Sequence, residues 1–173
     1  YAQLDLTLLR GDQSRLGLKL GKPKLPYGLY NETRDVPFTR PGILLPQSIY
    51  FDTIRDFVLA APGVYLHGSG VGDYGSLEFN AGVLRPDLST ESFKRNFRVL
   101  GTLEGRNSYA ASLRWDMPTD TTLALYRVKL DSDYTAKPFI FPFNTDGKVA
   151  LSSWLISVQQ RIDTWTLTAE HAS

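Results

Sequence analysis

The chain contains no cysteine, one methionine and no long apolar run among its 173 residues. Without cysteine, disulfides and thiolate metal sites are excluded. The most apolar stretch, residues 57–66, is interrupted by Pro62 and Gly63, so nothing approaches the roughly 18 consecutive apolar residues of a membrane-spanning helix. Neither sign of charge dominates, since 19 basic residues face 18 acidic ones. The charge balance therefore gives no reason to expect nucleic acid as a partner.

Motifs for metal, cofactor or catalysis are also scarce. The glycine-rich residues 68–72 lack the lysine and the following helix that a phosphate-binding loop needs. The best enzymatic pattern is His67-Gly68-Ser69, because alternation in a strand places His67 and Ser69 on one face, with Asn80 on the next strand. His-x-Ser is a common pattern, however. We therefore expect no cofactor and no enzymatic activity, with lipid hydrolysis by His67 and Ser69 as a minor alternative.

Short segments in which apolar and polar residues alternate recur along the whole chain. Such alternation predicts β-strands, here eight of them, at residues 3–8, 15–21, 64–70, 77–83, 109–116, 124–131, 154–158 and 165–170. The connections alternate between tight turns near Asp12, Asp73, Thr119 and Asp163 and long loops at residues 22–62, 85–107 and 132–150. Residues 97–103 have strand propensity, but a strand there would require a turn at residues 105–107 and break this rhythm, so we interpret them as loop.

Short turns on one side and long loops on the other are typical of a membrane barrel. The sequence thus predicts an all-β, antiparallel, up-and-down transmembrane β-barrel, with residues 1–173 as a single domain or a fragment of one. Turns would face the periplasm and loops the exterior. The chain opens and closes inside predicted strands and shows no signal peptide, so we expect a mature protein lacking both ends, or a fragment. Open ends favour a wide barrel of about 16 to 18 strands over a narrow one.

The polar faces of the strands are predicted to line a water-filled pore. Their charged candidates are Arg15, Lys19, Glu78, Arg114, Asp116, Arg127, Lys129, Arg161 and Glu170. On the apolar faces, aromatic residues near the strand ends fit the girdles at the two membrane interfaces; these are Tyr109, Trp115, Trp154 and Trp165. A soluble β-sandwich or small barrel, with the same apolar faces as its core, is the alternative. In that case Tyr27, Tyr30, Tyr50 and Phe51 would form an aromatic ligand surface.

The loop at residues 22–62 is too long and too apolar to be a passive connection. Five prolines stiffen it, and its apolar side chains need a surface to pack against. We therefore predict that it folds into the barrel and narrows the pore. Its charges would then act at the constriction: Arg34, Asp35, Arg40, Asp52, Arg55 and Asp56.

Residues 21–28, Gly-Lys-Pro-Lys-Leu-Pro-Tyr-Gly, resemble the strand-to-loop signature of the phosphate-selective porin-like superfamily of Gram-negative outer membranes. Residues 29–41 and the later Phe51-Asp52 pair resemble uncharacterised members of that group. The resemblance implies a barrel of about 16 strands, commonly a homotrimer, with the third extracellular loop constricting the pore. This chain would supply about half of such a barrel.

Phosphate selectivity is not implied, because no arginine ladder like that of the phosphate-selective members can be assigned. The loop mixes basic and acidic residues, which would set a transverse field with only weak anion preference. The predicted function is a porin in the bacterial outer membrane, a passive diffusion channel for small hydrophilic solutes with outer-membrane lipid around it.

Overall fold

A computed structural model describes residues 2–25, 27–30, 60–86, 88, 101–136 and 146–173. These residues form nine β-strands and no helix. The strands are β1 (Gln3–Arg10), β2 (Ser14–Gly21), β3 (Gly63–Gly72), β4 (Gly75–Leu84), β5 (Gly101–Gly105), β6 (Ser108–Asp116), β7 (Thr121–Ala136), β8 (Gly147–Ile162) and β9 (Trp165–Ala172).

All nine strands belong to one antiparallel sheet in the order β1-β2-β3-β4-β6-β7-β8-β9, with β5 paired to β7. Apart from β5, neighbours in this order follow one another along the chain, so the topology is up-and-down. The prediction of an all-β antiparallel up-and-down fold is therefore confirmed. In the described part of the chain, β1 and β9 end the sheet and do not pair with each other, so the sheet is open rather than a closed barrel.

The connections alternate in length. Tight turns join β1 to β2, β3 to β4, β6 to β7 and β8 to β9, whereas residues 22–62, 85–100 and 137–146 form the longer connections. Three of the four tight turns contain a residue with left-handed backbone, with φ of 57° at Asp120, 51° at Asp163 and 97° at Gly75. Aspartate and glycine tolerate this conformation better than other residues, which is why the turn vocabulary of the sequence marks these sites correctly.

The assignment of residues 97–103 to a loop is wrong for the residues that the structure describes, because β5 begins at Gly101. β5 does not turn back onto β6. Both strands run antiparallel to β7, β5 along its residues 132–136 and β6 along its residues 122–129. They are two collinear strands, separated by Arg106 and Asn107, in one position of the sheet. The extra strand therefore needs no tight turn, and the alternation of connections persists.

The third long loop is shorter than predicted. β7 and β8 remain paired as far as Tyr134 opposite Gly147. The predicted loop boundaries at residues 132 and 150 are therefore wrong, and the β7–β8 hairpin extends past the β6–β7 pairing. Polar residues such as Ser132 and Asp133 ended the apolar alternation in the sequence without ending the strand.

Residues directly opposite each other in adjacent strands point to the same side of a sheet, so the register defines two faces. We call the side that carries Leu18, Leu66 and Leu113 the outer face. Most large apolar side chains that the structure leaves exposed lie there, with exposed fractions from 37% at Leu66 to 73% at Trp165. They are Leu4, Leu6, Leu9, Val64, Leu66, Leu77, Val83, Tyr109, Leu113, Trp115, Leu125, Trp154, Ile156, Val158, Ile162, Trp165 and Leu167.

The opposite side, the inner face, holds the buried cluster of the molecule. The sheet residues of this cluster are Tyr65, Leu84, Ala110, Ala124, Tyr126, Val128, Leu130 and Leu155. Leu25, Tyr27 and Tyr30, from the connection that follows β2, pack into the same cluster. The first described residues of the long loop therefore cover part of the inner face.

This contact requires a curved sheet. In a flat sheet β9 would lie six strand spacings from β2, about 29 Å away. Leu29 follows the end of β2 by eight residues, which reach at most about 28 Å when fully extended, and residues 28–30 form a turn. Yet the Leu29 N–H donates to Glu170 Oε1 of β9 at 3.2 Å. The sheet therefore bends toward its inner face, around the segment that follows β2.

Candidate functional site

The inner face carries a charged network across β1, β2 and β3. His67 Nε2 contacts Asp5 Oδ1 at 3.1 Å, and Arg15 Nη2 lies 3.6 Å from the same oxygen and donates to Thr7 Oγ1 at 3.1 Å. The histidine on β3 reaches Asp5 on β1 by crossing Gly17 of β2. A Cβ at Gly17 would lie 2.5 Å from His67 Nε2, so this glycine is the gap that permits the contact.

A groove of about 560 Å³ opens beside this network at the turn end of the first three strands. Thr7, Arg10, Arg15, Ser69 and Val71 line it, together with residues of the β1–β2 turn. Arg10 and Arg15 are directly opposite in the register. Hydroxyl and guanidinium groups therefore dominate the polar lining of this groove.

A second network lies on β4, β6 and β7. Arg114 donates to both carboxylate oxygens of Asp116, through Nε at 2.8 Å and Nη2 at 2.9 Å, and Thr122 donates to the same carboxylate. Glu78 lies opposite Arg114 in the β4–β6 register. Residues that are two positions apart on one strand point to the same face, which brings the Arg114 and Asp116 side chains together. The result is a fixed row of alternating charge on the inner face.

The third polar group of the inner face holds the segment that follows β2. The Tyr27 hydroxyl contacts Ser153 Oγ at 3.0 Å, and the Tyr30 hydroxyl contacts Thr168 Oγ1 at 3.2 Å. Gln159 Nε2 donates to the Tyr30 hydroxyl at 3.0 Å. Glu170 accepts from the Leu29 N–H, as described above, and from Ser157 Oγ at 2.8 Å. We call residues 27–30, in this set of contacts, the loop anchor.

The ends of the long connection also meet, because Lys24 and Ala60 form an isolated antiparallel bridge. The predicted constriction residues Arg34, Asp35, Arg40, Asp52, Arg55 and Asp56 lie outside the described residues.

Seven of the predicted pore-lining residues share the inner face: Arg15, Lys19, Glu78, Arg114, Asp116, Arg161 and Glu170. The prediction that Arg127 and Lys129 share it is wrong. Arg127 lies opposite Ala111 and Lys129 opposite Tyr109, on the outer face. The apolar row of Tyr126, Val128 and Leu130 takes the inner face instead.

The physical reason for this error is that β7 is apolar on both sides. Leu123 and Leu125 belong to the outer face, while Tyr126, Val128 and Leu130 are 4–5% exposed because the anchored segment and neighbouring strands cover them. The sequence interpretation assigned one apolar row per strand to the outside. It had no information that a loop would cover the inner row.

The four aromatic residues predicted for the girdles lie on the outer face. Trp115 is next to the β6–β7 turn and Trp165 next to the β8–β9 turn, so both are at the turn side. Trp115 Nε1 donates to the Tyr74 carbonyl at 2.9 Å in the neighbouring β3–β4 turn. Tyr109 lies at the loop-side end of β6, opposite Lys129. Trp154 lies opposite Arg127 in the middle of β8, because that strand begins at Gly147, so the prediction that Trp154 lies near a strand end is wrong.

Sequence reasoning missed the partners of the loop anchor and the contact of Asp5 with His67. Opposite charges two residues apart, as in Arg114 and Asp116, could have been found from alternation alone. The contacts of Tyr27 and Tyr30 join residues more than 120 positions apart, and no local pattern contains them.

Among the described residues, no group of three or more histidine or acidic side chains is arranged to hold a metal ion. Within the same part of the chain, no helix is long and apolar enough to cross a membrane. Comparison with protein-family models, curated proteins and solved structures gives no match.

Proposed function

We propose that the chain forms part of the wall of a porin, a passive channel for small hydrophilic solutes in the bacterial outer membrane. The observation that carries this proposal is the distribution of side chains between the two faces of the sheet. The outer face is largely apolar and exposed, whereas the inner face carries charged networks and a buried cluster on which the segment after β2 packs. A water-soluble sheet has the reverse arrangement.

The size of the apolar surface supports a lipid environment. The largest apolar patch of a typical soluble monomer is about 300–600 Å². The outer face carries 17 large apolar side chains that are each at least 37% exposed, which together form a larger patch than that. Aromatic residues lie near both ends of this surface, as in the outward band of membrane barrels. Hydrocarbon is the solvent for which such a surface has no cost of exposure.

The inner face supports transport without turnover. Its ion pairs are only partly buried, with the Arg114 and Asp116 side chains 40% and 32% exposed, so water reaches them. Fixed charges of both signs set a local field, and the anchored segment reduces the free cross-section. Selection would then depend on solute size and on that field.

A wide barrel is the architecture that accommodates the anchored segment. Eight strands alone enclose an interior filled by their own side chains, while about 16 to 18 strands leave an aqueous channel. Eight sheet positions that curve around a loop segment fit an arc of the wider type. The trimeric state, and the constriction by the charged residues of the long loop, are part of the proposal through the family resemblance.

Single-channel recording in planar bilayers tests the proposal. The full protein should give discrete conductance steps. A variant in which a Gly/Ser linker replaces residues 31–59 should give larger conductance steps, because the proposed constriction is removed. The bridge between Lys24 and Ala60 and the loop anchor would remain in this variant. Membrane-inserted protein that gives no steps would refute the channel. Steps of unchanged size in the linker variant would refute the constriction.

One contact favours a second candidate, a lipid hydrolase. Asp5 holds the His67 imidazole at 3.1 Å, and Ser69 shares the inner face with His67. An oriented histidine near a hydroxyl is the arrangement that activates a serine nucleophile. This candidate predicts hydrolysis of phospholipid in mixed micelles by the natural chain and its loss in Ser69→Ala. Absence of hydrolysis by the natural chain would dispose of it.

A further inference from the structure

Two cations lie on the outer face where the apolar surface ends. Arg127 and Lys129 follow Leu123 and Leu125 along the outer side of β7, on the way from the β6–β7 turn toward the long connections. Neither pairs with the inner-face networks. An arginine and a lysine in this position need an explanation that a pore wall does not supply.

The arginine is held on an aromatic ring. Its Cζ atom is 4.7 Å from the centroid of the Trp154 ring, a distance at which the guanidinium and the ring attract each other. No carboxylate of the described residues lies within ion-pair distance of Arg127. Its position is therefore fixed by the ring, while its charge stays available to a group outside the sheet.

The lysine borders a row of compensated charges. Lys129 Nζ lies 3.4 Å from Asp131 Oδ2, with the two side chains 40% and 31% exposed. Arg106 and Asp133 form the next pair, at 3.2 Å. Asp131 and Asp133 lie farther along β7 from the apolar surface than Arg127 and Lys129 do. The positive charge is thus closest to the boundary, and the negative charge is beyond it.

We propose that Arg127 and Lys129, flanked by Trp154 and Tyr109, bind the phosphate of an anionic membrane lipid at the loop-side interface. This inference rests on the proposed function, since it needs the outer face to contact lipid. Guanidinium binds phosphate through two parallel hydrogen bonds. Tryptophan and tyrosine prefer the headgroup level of a bilayer. The four side chains together match a phosphate that lies directly above acyl chains.

A lipid phosphate fits better than a free one for a geometrical reason. The cations lie on the same open face as the apolar surface, with no wall of donors around them, so only an anion attached to an apolar group would gain from both features. A basic residue near an anionic bilayer contributes about a fivefold increase in affinity. Two such residues predict a preference on the order of 10- to 30-fold.

Native mass spectrometry of the protein in neutral detergent measures this preference directly. Short-chain phosphatidylglycerol should bind about 10- to 30-fold more tightly than phosphatidylcholine. The double variant Arg127→Gln, Lys129→Gln should lose that difference. The matched control is Lys19→Gln, Arg161→Gln, which removes the same charge from the inner face and should keep the preference.

Equal weakening in both double variants would overturn the site, because it would indicate a general effect of net charge. Equal binding of the two lipids by the natural chain would also overturn it. Displacement of the lipid by an equal concentration of inorganic phosphate, or by an acidic peptide, would refute a lipid as the occupant.

The outcome is separable from that of the channel experiment. A protein that conducts without a lipid preference refutes the lipid site alone. A protein that prefers phosphatidylglycerol without conducting refutes the channel and supports the lipid site.

Discussion

Replacing Tyr27 and Tyr30 with phenylalanine tests whether hydroxyl groups hold the loop anchor to β8 and β9. The two substitutions keep both rings in the buried cluster and remove three contacts, of 3.0 Å to Ser153, 3.2 Å to Thr168 and 3.0 Å to Gln159. A net hydrogen bond contributes about 1 kcal/mol to stability. The free energy of opening the anchor should therefore fall by about 2–3 kcal/mol.

Amide hydrogen exchange at Leu29 reports this opening, because its N–H donates to Glu170 across the gap between segment and sheet. Local opening controls such exchange, and a loss of 2–3 kcal/mol corresponds to exchange about 30- to 150-fold faster. The measurement is made on the protein in detergent micelles. Amides in the centre of β6 should keep their protection.

Tyr109→Phe is the matched control, since Tyr109 lies on the outer face and takes no part in the anchor. It should leave the exchange of Leu29 unchanged. Unchanged Leu29 exchange in the double variant would refute the anchor. Equal acceleration in β6 would refute it too, because the hydroxyl contacts would then support the whole sheet rather than the loop.

Two further predictions concern the inner face. Gly17→Ala should destabilise the sheet by about 1–3 kcal/mol, because the added Cβ would overpack against His67. The control Gly70→Ala should be near neutral, since its Cβ would lie 3.5 Å from the nearest atom. Urea titration in micelles measures both variants, and equal losses of stability would contradict the close approach at Gly17. Arg114→Gln should shift the reversal potential of the channel toward cation selectivity, because the row then keeps the negative charges of Glu78 and Asp116 without the arginine. The control Lys148→Gln, on the outer face, should leave the reversal potential unchanged. Equal shifts in the two variants would contradict the assignment of faces.

The strands and turns could be predicted because their causes are local. A period of two marks a strand with two unlike faces, and residues such as Asp163 and Gly75 tolerate the left-handed backbone of tight turns. The predicted positions of all four tight turns agree with the structure. Three of these turns contain a left-handed residue, and the β1–β2 turn consists of the Gly, Asp, Gln and Ser residues that are common in turns.

β5 could not be placed because a strand's partner is a tertiary property. Residues 97–103 have the propensity of a strand, but propensity does not say whether a strand turns back or continues in line. The structure pairs Gly101 with Ala136 and Gly105 with Ser132, along an extension of β7 that polar residues concealed.

The faces of β7 were misassigned for a related reason. Apolar residues go wherever they are removed from water, and β7 has two such places: the outer face and the covered part of the inner face. Deciding between them requires knowing that Leu25 and Tyr27 pack on the inner side. The loop anchor and its partners on β8 and β9 are also far apart in sequence. Alternation therefore placed Glu170 on the correct face but gave no indication that it accepts from the Leu29 N–H.

The central claim is that the outer face contacts lipid and the inner face contacts water. Because the chain has no cysteine, single cysteines introduced at Leu113 and at its neighbour Ser112 can report on the two faces of β6 in liposomes. A fluorophore at position 113 should be quenched by brominated acyl chains, and a thiol at position 112 should react with a membrane-impermeant, water-soluble reagent. Quenching at 112 with reaction at 113, or equal behaviour at both positions, would contradict the account.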